Sequence, residues 1–273
     1  MKQLLCNNKE INLDSENPSW KKTSFWIACR NGHIEIVKLL LNEERIDINK
    51  GKYSRTPFEL ACSLGHTGIV KLLLNDKRID VNIQDKLFDQ EKTAFYLACE
   101  NGRTEVVKLL FEDQRIDVYQ PDNVGCTPLY IACQKGHVDI VKFLLKDKMY
   151  KTNNDNHLQT ACVYGRFEVV KWILAIQTDL NIRWEEDDDD GRTLIRSVLD
   201  GLEEECDEYS DDEDCDAFME RAKNYGGTVG LLKAFQIYPN EVRNKLKIEL
   251  GLTGNIYIYF ISFLFTLLFC YFQ

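Results

Sequence analysis

Ten cysteines, four histidines and 44 acidic side chains are the groups in this 273-residue chain that could hold a metal, attack a carbonyl or move a proton. Their spacing argues against all three uses. Cys29, Cys62, Cys99, Cys133 and Cys162 each follow an alanine and each stand three residues before a glycine. Cysteines repeated at one position read as small buried hydrophobes, reduced in the cytosol, rather than as a disulfide framework or metal site. His33, His66 and His137 directly follow such a glycine. No nucleophile, orienting acid or second ligand accompanies them, so catalysis is not expected. The carboxylates crowd into Glu185–Asp216, but a calcium loop with its glycine at Gly191 would end at Ser197, where a bidentate glutamate is required. Cys206 and Cys215 in that run lack the second pair a structural zinc site needs. Gly226-Gly227-Thr228-Val229-Gly230 lacks the Lys-Ser/Thr of a phosphate loop and reads as a turn. With no zinc-hydrolase, serine-hydrolase or kinase signature either, no enzyme, cofactor, metal or small-molecule substrate is expected.

The charge is uneven. Residues 185–216 hold 17 acidic against 2 basic side chains, a local balance of −15 within a net charge of −10, so the rest of the chain carries +5. A chain without a basic stripe is a poor ligand for nucleic acid, because phosphate neutralisation supplies most of that affinity. At 44% hydrophobic and 29% charged residues the chain as a whole has the composition of a folded protein. Met1–Glu10 lacks the apolar stretch of a signal peptide, and Asn17-Pro18-Ser19 is excluded as a glycosylation site by its proline, so a cytoplasmic location is expected.

The glycines mark a repeat. Thr23–Asn49, Thr56–Asn82 and Thr93–Val118 superimpose without a gap, and shorter copies follow at Thr127–Leu145 and His157–Leu174. Gly32, Gly65, Gly102, Gly136 and Gly165 are separated by 33, 37, 34 and 29 residues, and Thr127-Pro128-Leu129-Tyr130-Ile131-Ala132 is close to the T-P-L-H-x-A signature of a 33-residue period. Over Thr23 to about Ile182 the chain resembles the ankyrin-repeat family.

Each copy has the chemistry of a helix pair. Thr56 is an N-cap with Pro57 at the first helical position, and Gly65 closes the first helix in a left-handed conformation. Ile36, Val37, Leu40 and Leu41 form one apolar face on the second helix. Lys38, Lys71, Lys108, Lys142 and Lys171 recur on the opposite side, with Glu35, Glu105, Asp139 and Glu168 three residues earlier in four of the five copies, and this ladder reads as a solvated face. The chain departs from the family where a histidine after Thr-Pro-Leu braces neighbouring loops. Trp26, Glu59, Tyr96, Tyr130 and Gln159 stand there, so that brace is expected to be lost.

The resemblance implies an all-α repeat solenoid, a stack of helix-turn-helix units joined by β-hairpin loops, followed by a less regular helical C-terminal region. Residues 1–18 read as an N-terminal half repeat, 19–184 as five repeats and 185–216 as an acidic segment in which Arg192–Gly201 has the spacing of a degenerate capping repeat. Residues 217–253 read as short helices, among them Asn240–Leu250, and 254–273 as an apolar tail. The resemblance also implies a protein partner, held by a concave face. The family's positions fall on Trp20, Lys22, Arg30 and Asn31; Tyr53, Arg55, Ser63 and Leu64; Lys92, Glu100 and Asn101; Asn123, Val124, Gln134 and Lys135; Val163 and Tyr164. A minority of these should matter, aromatics and arginines first. In the longest connection, Leu87 and Phe88 form either an exposed contact tip or one folded back on its own stack. Ile256–Phe272, 17 residues without charge, is either a membrane tail anchor, a buried closing helix or an aggregation-prone tail. The expected function is a scaffold or adaptor, tethered to a membrane if the tail is an anchor. The alternative is a regulatory subunit whose acidic segment competes with partners.

Overall fold

The computed structural model describes residue 15 and residues 22–51, 55–83, 91–147, 157–176, 227–229, 231–232 and 239–250. The N-terminal half repeat, the acidic segment with Arg192–Gly201, the tip with Leu87 and Phe88, and the apolar tail lie outside these residues. The chain divides into two compact units, Met1–Asp155 and Asn156–Gln273.

Among the described residues of the first unit eight helices alternate as short pairs: α1 (Ser24–Arg30), α2 (Ile34–Leu41), α3 (Pro57–Leu64), α4 (Thr67–Leu74), α5 (Ala94–Glu100), α6 (Thr104–Glu112), α7 (Pro128–Lys135) and α8 (Val138–Leu144). The first helix of every pair begins at a threonine. The hydroxyls of Thr23, Thr56, Thr93 and Thr127 accept the backbone N–H three residues on, at 3.1 to 3.2 Å. Thr56 makes a full capping box, its own N–H donating to Glu59 Oε2. At the other end Gly32, Gly65, Gly102 and Gly136 have φ between 69° and 82°. The amide after each glycine donates to the alanine carbonyl five residues back, so that the chain reverses directly into the second helix.

The eight-residue α2 cannot bury its Val37–Leu40 face alone. First helices pack in one row, α1 to α3 to α5 to α7, and second helices in another, α2 to α4 to α6 to α8. The alanine and cysteine between the rows are almost fully inaccessible in every copy. Phe111 on α6 meets Phe143 on α8 edge-on at 5.1 Å and Phe95 on α5 at 6.4 Å.

Polar side chains lock one repeat to the next. Arg78 donates to the carbonyls of Leu41 and Glu43, and Arg115 to that of Leu74, each held in aim by a carboxylate two residues earlier, Asp76 or Asp113. Asn49 donates to Arg78 O and accepts from Asp80 N, and Asn82 repeats the pattern with Arg115 O and Asp117 N. In the third copy Tyr119 takes that place and reaches Asp147 at 3.2 Å.

The described connections are turns, with an isolated bridge at Lys92, rather than the expected hairpin ladders. The best described one explains why. Asp122 Oδ1 accepts the N–H groups of Val124 and Cys126, and Asp122 N donates to Cys126 O. A side chain thereby satisfies backbone donors that a strand partner would otherwise take.

The second unit holds α9 (His157–Val163), α10 (Phe167–Ile176) and α11 (Pro239–Glu249). The first two form a fifth repeat, closed at Gly165 with φ 60°. The expected Asn240–Leu250 helix is α11, and it packs on α10. Arg243 Nε donates to Leu174 O, Leu246 is buried, and Lys171 bonds both Glu168 and Glu249. The solvated-ladder reading therefore fails at Lys171. Six of the ten residues of α10 are buried, that lysine among them.

Candidate functional site

A face for a partner needs side chains at constant backbone positions whose own chemistry is not consumed by the fold. The row of first helices provides the positions. Arg30 and Asn31, Ser63 and Leu64, Glu100 and Asn101, and Gln134 and Lys135 occupy equivalent places at the ends of α1, α3, α5 and α7. Opposite them, immediately before each capping threonine, stand Lys22, Arg55, Lys92 and Cys126.

In the first repeat both of these positions are cationic. Lys22 Nζ lies 4.8 Å from the Trp26 ring centre and Arg30 Cζ lies 5.7 Å from it, so one indole carries two cations. The Trp26 Nε1 donates to Arg55 O at 2.9 Å. In the second repeat Arg55 donates to Ser63 Oγ at 3.1 Å, and Asn101 Nδ2 reaches the same oxygen at 3.2 Å. In the third, Lys92 and Glu100 pair at 2.8 Å with both side chains largely covered, and Lys92 sits 5.3 Å from the Tyr96 ring centre.

Tyr96 and Trp26 overturn the expectation that the brace is lost. Tyr96 OH donates to Asp122 Oδ2 at 3.0 Å, fixing the turn that follows, as Trp26 does for the backbone at Arg55. An indole N–H or a phenol spans the gap as an imidazole would. Burial, and then the Asp122 carboxylate, push the Tyr96 phenol well above its ordinary value, so it stays a neutral donor. Glu59 differs, its carboxylate turning back to its own helix start.

The residue after Gly65, Gly102 and Gly136 reaches back one repeat. His66 Nε2 bonds Arg30 O at 2.9 Å, Arg103 Nε donates to Ser63 O at 2.9 Å, and His137 Nε2 bonds Glu100 O at 3.0 Å. The histidines thus brace the stack. Burial pushes the Cys29 thiol up to about 12 and raises Cys62, Cys99 and Cys162 as well, which keeps these thiols protonated and inert. Among the described residues no group of three or more His, Cys, Asp or Glu is placed to hold a metal ion.

Of the residues expected to meet a partner, Lys22, Arg30, Asn31, Arg55, Leu64, Lys92, Glu100, Asn101, Asn123, Val124, Gln134 and Lys135 lie in the first unit with part of their surface open. Of the large apolar side chains among them, Val124 is 79% open and Leu64 39%. Ser63 is a correction, because it is buried and its hydroxyl and carbonyl are taken by Arg55, Asn101 and Arg103. Val163 and Tyr164 are half-buried in the second unit, and Trp20, Tyr53, Leu87 and Phe88 fall outside the described residues. Sequence reasoning missed Trp26, Tyr96 and Asp122 as organisers of the face. For the two rings the signal was present, a large hydrogen-bonding side chain three residues after Thr23 and after Thr93.

A family model for ankyrin repeats in three copies matches residues 1–85, 79–156 and 95–184. The chain belongs to the ankyrin-repeat family. No curated protein matches it. Ankyrin repeats generally mediate contacts between proteins and are typically scaffolds rather than enzymes. No helix among the described residues is long and apolar enough to cross a membrane.

Proposed function

We propose that this ankyrin-repeat protein is a non-enzymatic cytoplasmic adaptor that holds a protein partner against the first-helix ends and the turns preceding them. The observation carrying this reading is a constant frame with changing groups at the helix ends. Thr caps, left-handed glycines and backward bridges recur from copy to copy, while the paired end positions run Arg-Asn, Ser-Leu, Glu-Asn and Gln-Lys. Val124 supports it further, held outward on a turn whose backbone Asp122 fixes. Affinity capture by the full chain and by a Leu64→Ser, Val124→Ser, Lys135→Ser variant tests the reading. These side chains are exposed, so the variant keeps its fold, and a partner retained equally by both proteins would move the site elsewhere.

The apolar run Ile256–Phe272 supports tethering of this adaptor to a membrane. Release of the full-length protein by alkaline carbonate would end that part of the proposal. A second reading, favoured by the −15 balance of residues 185–216 against +5 elsewhere, is that this segment competes with partners. Unchanged partner affinity at low salt after deletion of Glu203–Asp216 would remove it.

A further inference from the structure

We infer that Asn31-Gly32 is a self-modifying site, at which the Asn31 side chain loses ammonia in the folded protein and leaves an aspartyl or isoaspartyl residue at the end of α1. The sequence holds the Asn-Gly pair twice, at Asn31-Gly32 and Asn101-Gly102, in both cases where a first helix closes on its glycine. This pair is the most open to the reaction, because glycine puts no Cβ in the way of its own nitrogen. That nitrogen attacks the asparagine Cγ. An N–C bond forms, the Cγ–Nδ2 bond breaks, and the glycine N–H proton passes through water to the departing nitrogen, which leaves as ammonia. The succinimide so made has one carbonyl from the side chain and one from the backbone. Water opens it at either, giving aspartate or the isomer whose backbone runs through the side-chain carbon, and no other reactant is needed.

The two sites allow a comparison in which the backbone cancels. Asn31 has φ −88° and ψ 2° and Asn101 has φ −96° and ψ 9°, so both must turn out of the same geometry before the glycine nitrogen reaches Cγ. Gly32 N donates to Cys29 O at 3.4 Å and Gly102 N to Cys99 O at 3.3 Å, long bonds that hold the attacking nitrogen equally weakly. A histidine of the next repeat lies against each glycine, since a Cβ on Gly32 would meet His66 Cε1 at 2.9 Å and one on Gly102 would meet His137 Cε1 at 2.7 Å. The side chains differ. Asn101 Nδ2 donates to Leu97 O at 2.8 Å and to Ser63 Oγ at 3.2 Å, and both bonds must break before its Cγ can swing to the glycine. Asn31 is exposed, and its amide makes no such bond among the described residues. Ser63 reaches Asn101 from the preceding first helix, and no described helix precedes α1 to do the same.

The product changes the surface. Either form sets a carboxylate where a neutral amide stood, beside Arg30, and the isomer adds a backbone carbon just before the Gly32 turn, which His33 N closes onto Ala28 O at 3.0 Å. On the adaptor reading this alters the partner face as the protein ages, while the reaction itself stands without that reading.

Incubation of the full chain at mildly alkaline pH, followed by peptide mapping with mass spectrometry and isoaspartate-specific methylation, tests the site. Conversion of Asn31 is expected to run roughly tenfold or more ahead of Asn101 in the folded protein, the effect of two hydrogen bonds on one of them. In urea the two should convert at one rate. Ser63→Ala removes one of the two bonds and should speed Asn101 severalfold, with the Asn31 rate unchanged as the sign that the variant is folded. Equal rates in the folded protein, conversion of Asn31 in urea alone, or a contrast that persists in urea would each overturn the inference.

Discussion

The second helices of the first four repeats and that of the fifth share one sequence pattern and occupy different surroundings. Lys38 and Lys108 pair with the acid three residues earlier at 2.7 Å while 46% and 44% of their side chains stay open. Lys142 does the same more loosely at 3.7 Å. In the second copy Gly68 stands in the acid's place, where a Cβ would meet Ile34 Cδ1 of the preceding repeat at 2.9 Å. Lys171 keeps its acid at 3.2 Å but is only 10% open, because α11 lies over it and Glu249 gives it a second carboxylate. The same lysine is therefore a surface ornament in one place and part of a buried junction in another. What separates them is a helix that begins 68 residues later in the chain.

The comparison can be broken most severely at Leu246. Its replacement by alanine empties the α10–α11 contact and should cost about 2–4 kcal/mol in the second unit. Amide hydrogen exchange should then rise along Phe167–Ile176 and leave α2 to α8 unchanged. If the α10 amides stay as protected as before, α11 is not what covers them. Next in size comes Gly102→Ala in the first unit, where φ is +69° and a Cβ would meet the His137 ring at 2.7 Å. Backbone strain and the displaced ring should together cost about 2–3 kcal/mol by urea denaturation. Gly125→Ala, with φ +92° and open space, should cost about 1 kcal/mol. Equal losses would show that the bridge from the next repeat adds nothing.

Smaller again is the lysine contrast itself. Lys171→Ala should destabilise by about 1–2 kcal/mol through Glu249 and lost packing, and Lys38→Ala by less than about 0.5 kcal/mol. Matching values in thermal melts would erase the distinction between the two surroundings. The smallest effect is acid sensitivity. Hydrogen bonds from Arg78 and Arg115 hold the Asp76 and Asp113 carboxyls below their usual range. A depressed folded-state value means the stabilisation is complete above about pH 4, the unfolded value, and is lost as pH falls through the folded one. An Asp76→Asn, Asp113→Asn variant should therefore be slightly less stable than wild type at pH 6 and converge on it as pH falls below about 4, as followed by circular dichroism. A constant gap across that range would assign the loss to the neutral hydrogen bonds alone.

How far the sequence spoke follows the same division. Within a repeat, contacts run between residues a few positions apart, so Thr56, Gly65 and the Val37–Leu40 face announced themselves by spacing. Links to the adjacent copy were half legible. His66 and His137 recur after glycine, yet nothing local says that Ser63 is buried, since its partners Arg55 and Asn101 lie on different copies. The brace was misjudged because it was sought as a histidine, whereas Trp26 and Tyr96 supply the same donor on a larger ring. The covering of Lys171 was illegible. Gly165–Leu174 follows the pattern of the other copies, and the deciding contacts come from Arg243, Leu246 and Glu249.

The backward bridges also bear on how the protein is made. His66, Arg103 and His137 close onto carbonyls 36, 40 and 37 residues earlier, and the longest of the named first-unit bonds, from Arg115 to Leu74, spans 41. A chain leaving a ribosome therefore waits for only one more repeat before each junction can shut, and loop closure over such lengths is fast. Nascent chains stalled at increasing lengths should acquire protease resistance in steps of one repeat, each step following the emergence of the next glycine and the basic residue behind it. The repeat is thus a unit of synthesis as well as of structure, with every new copy bringing the latch for the one before.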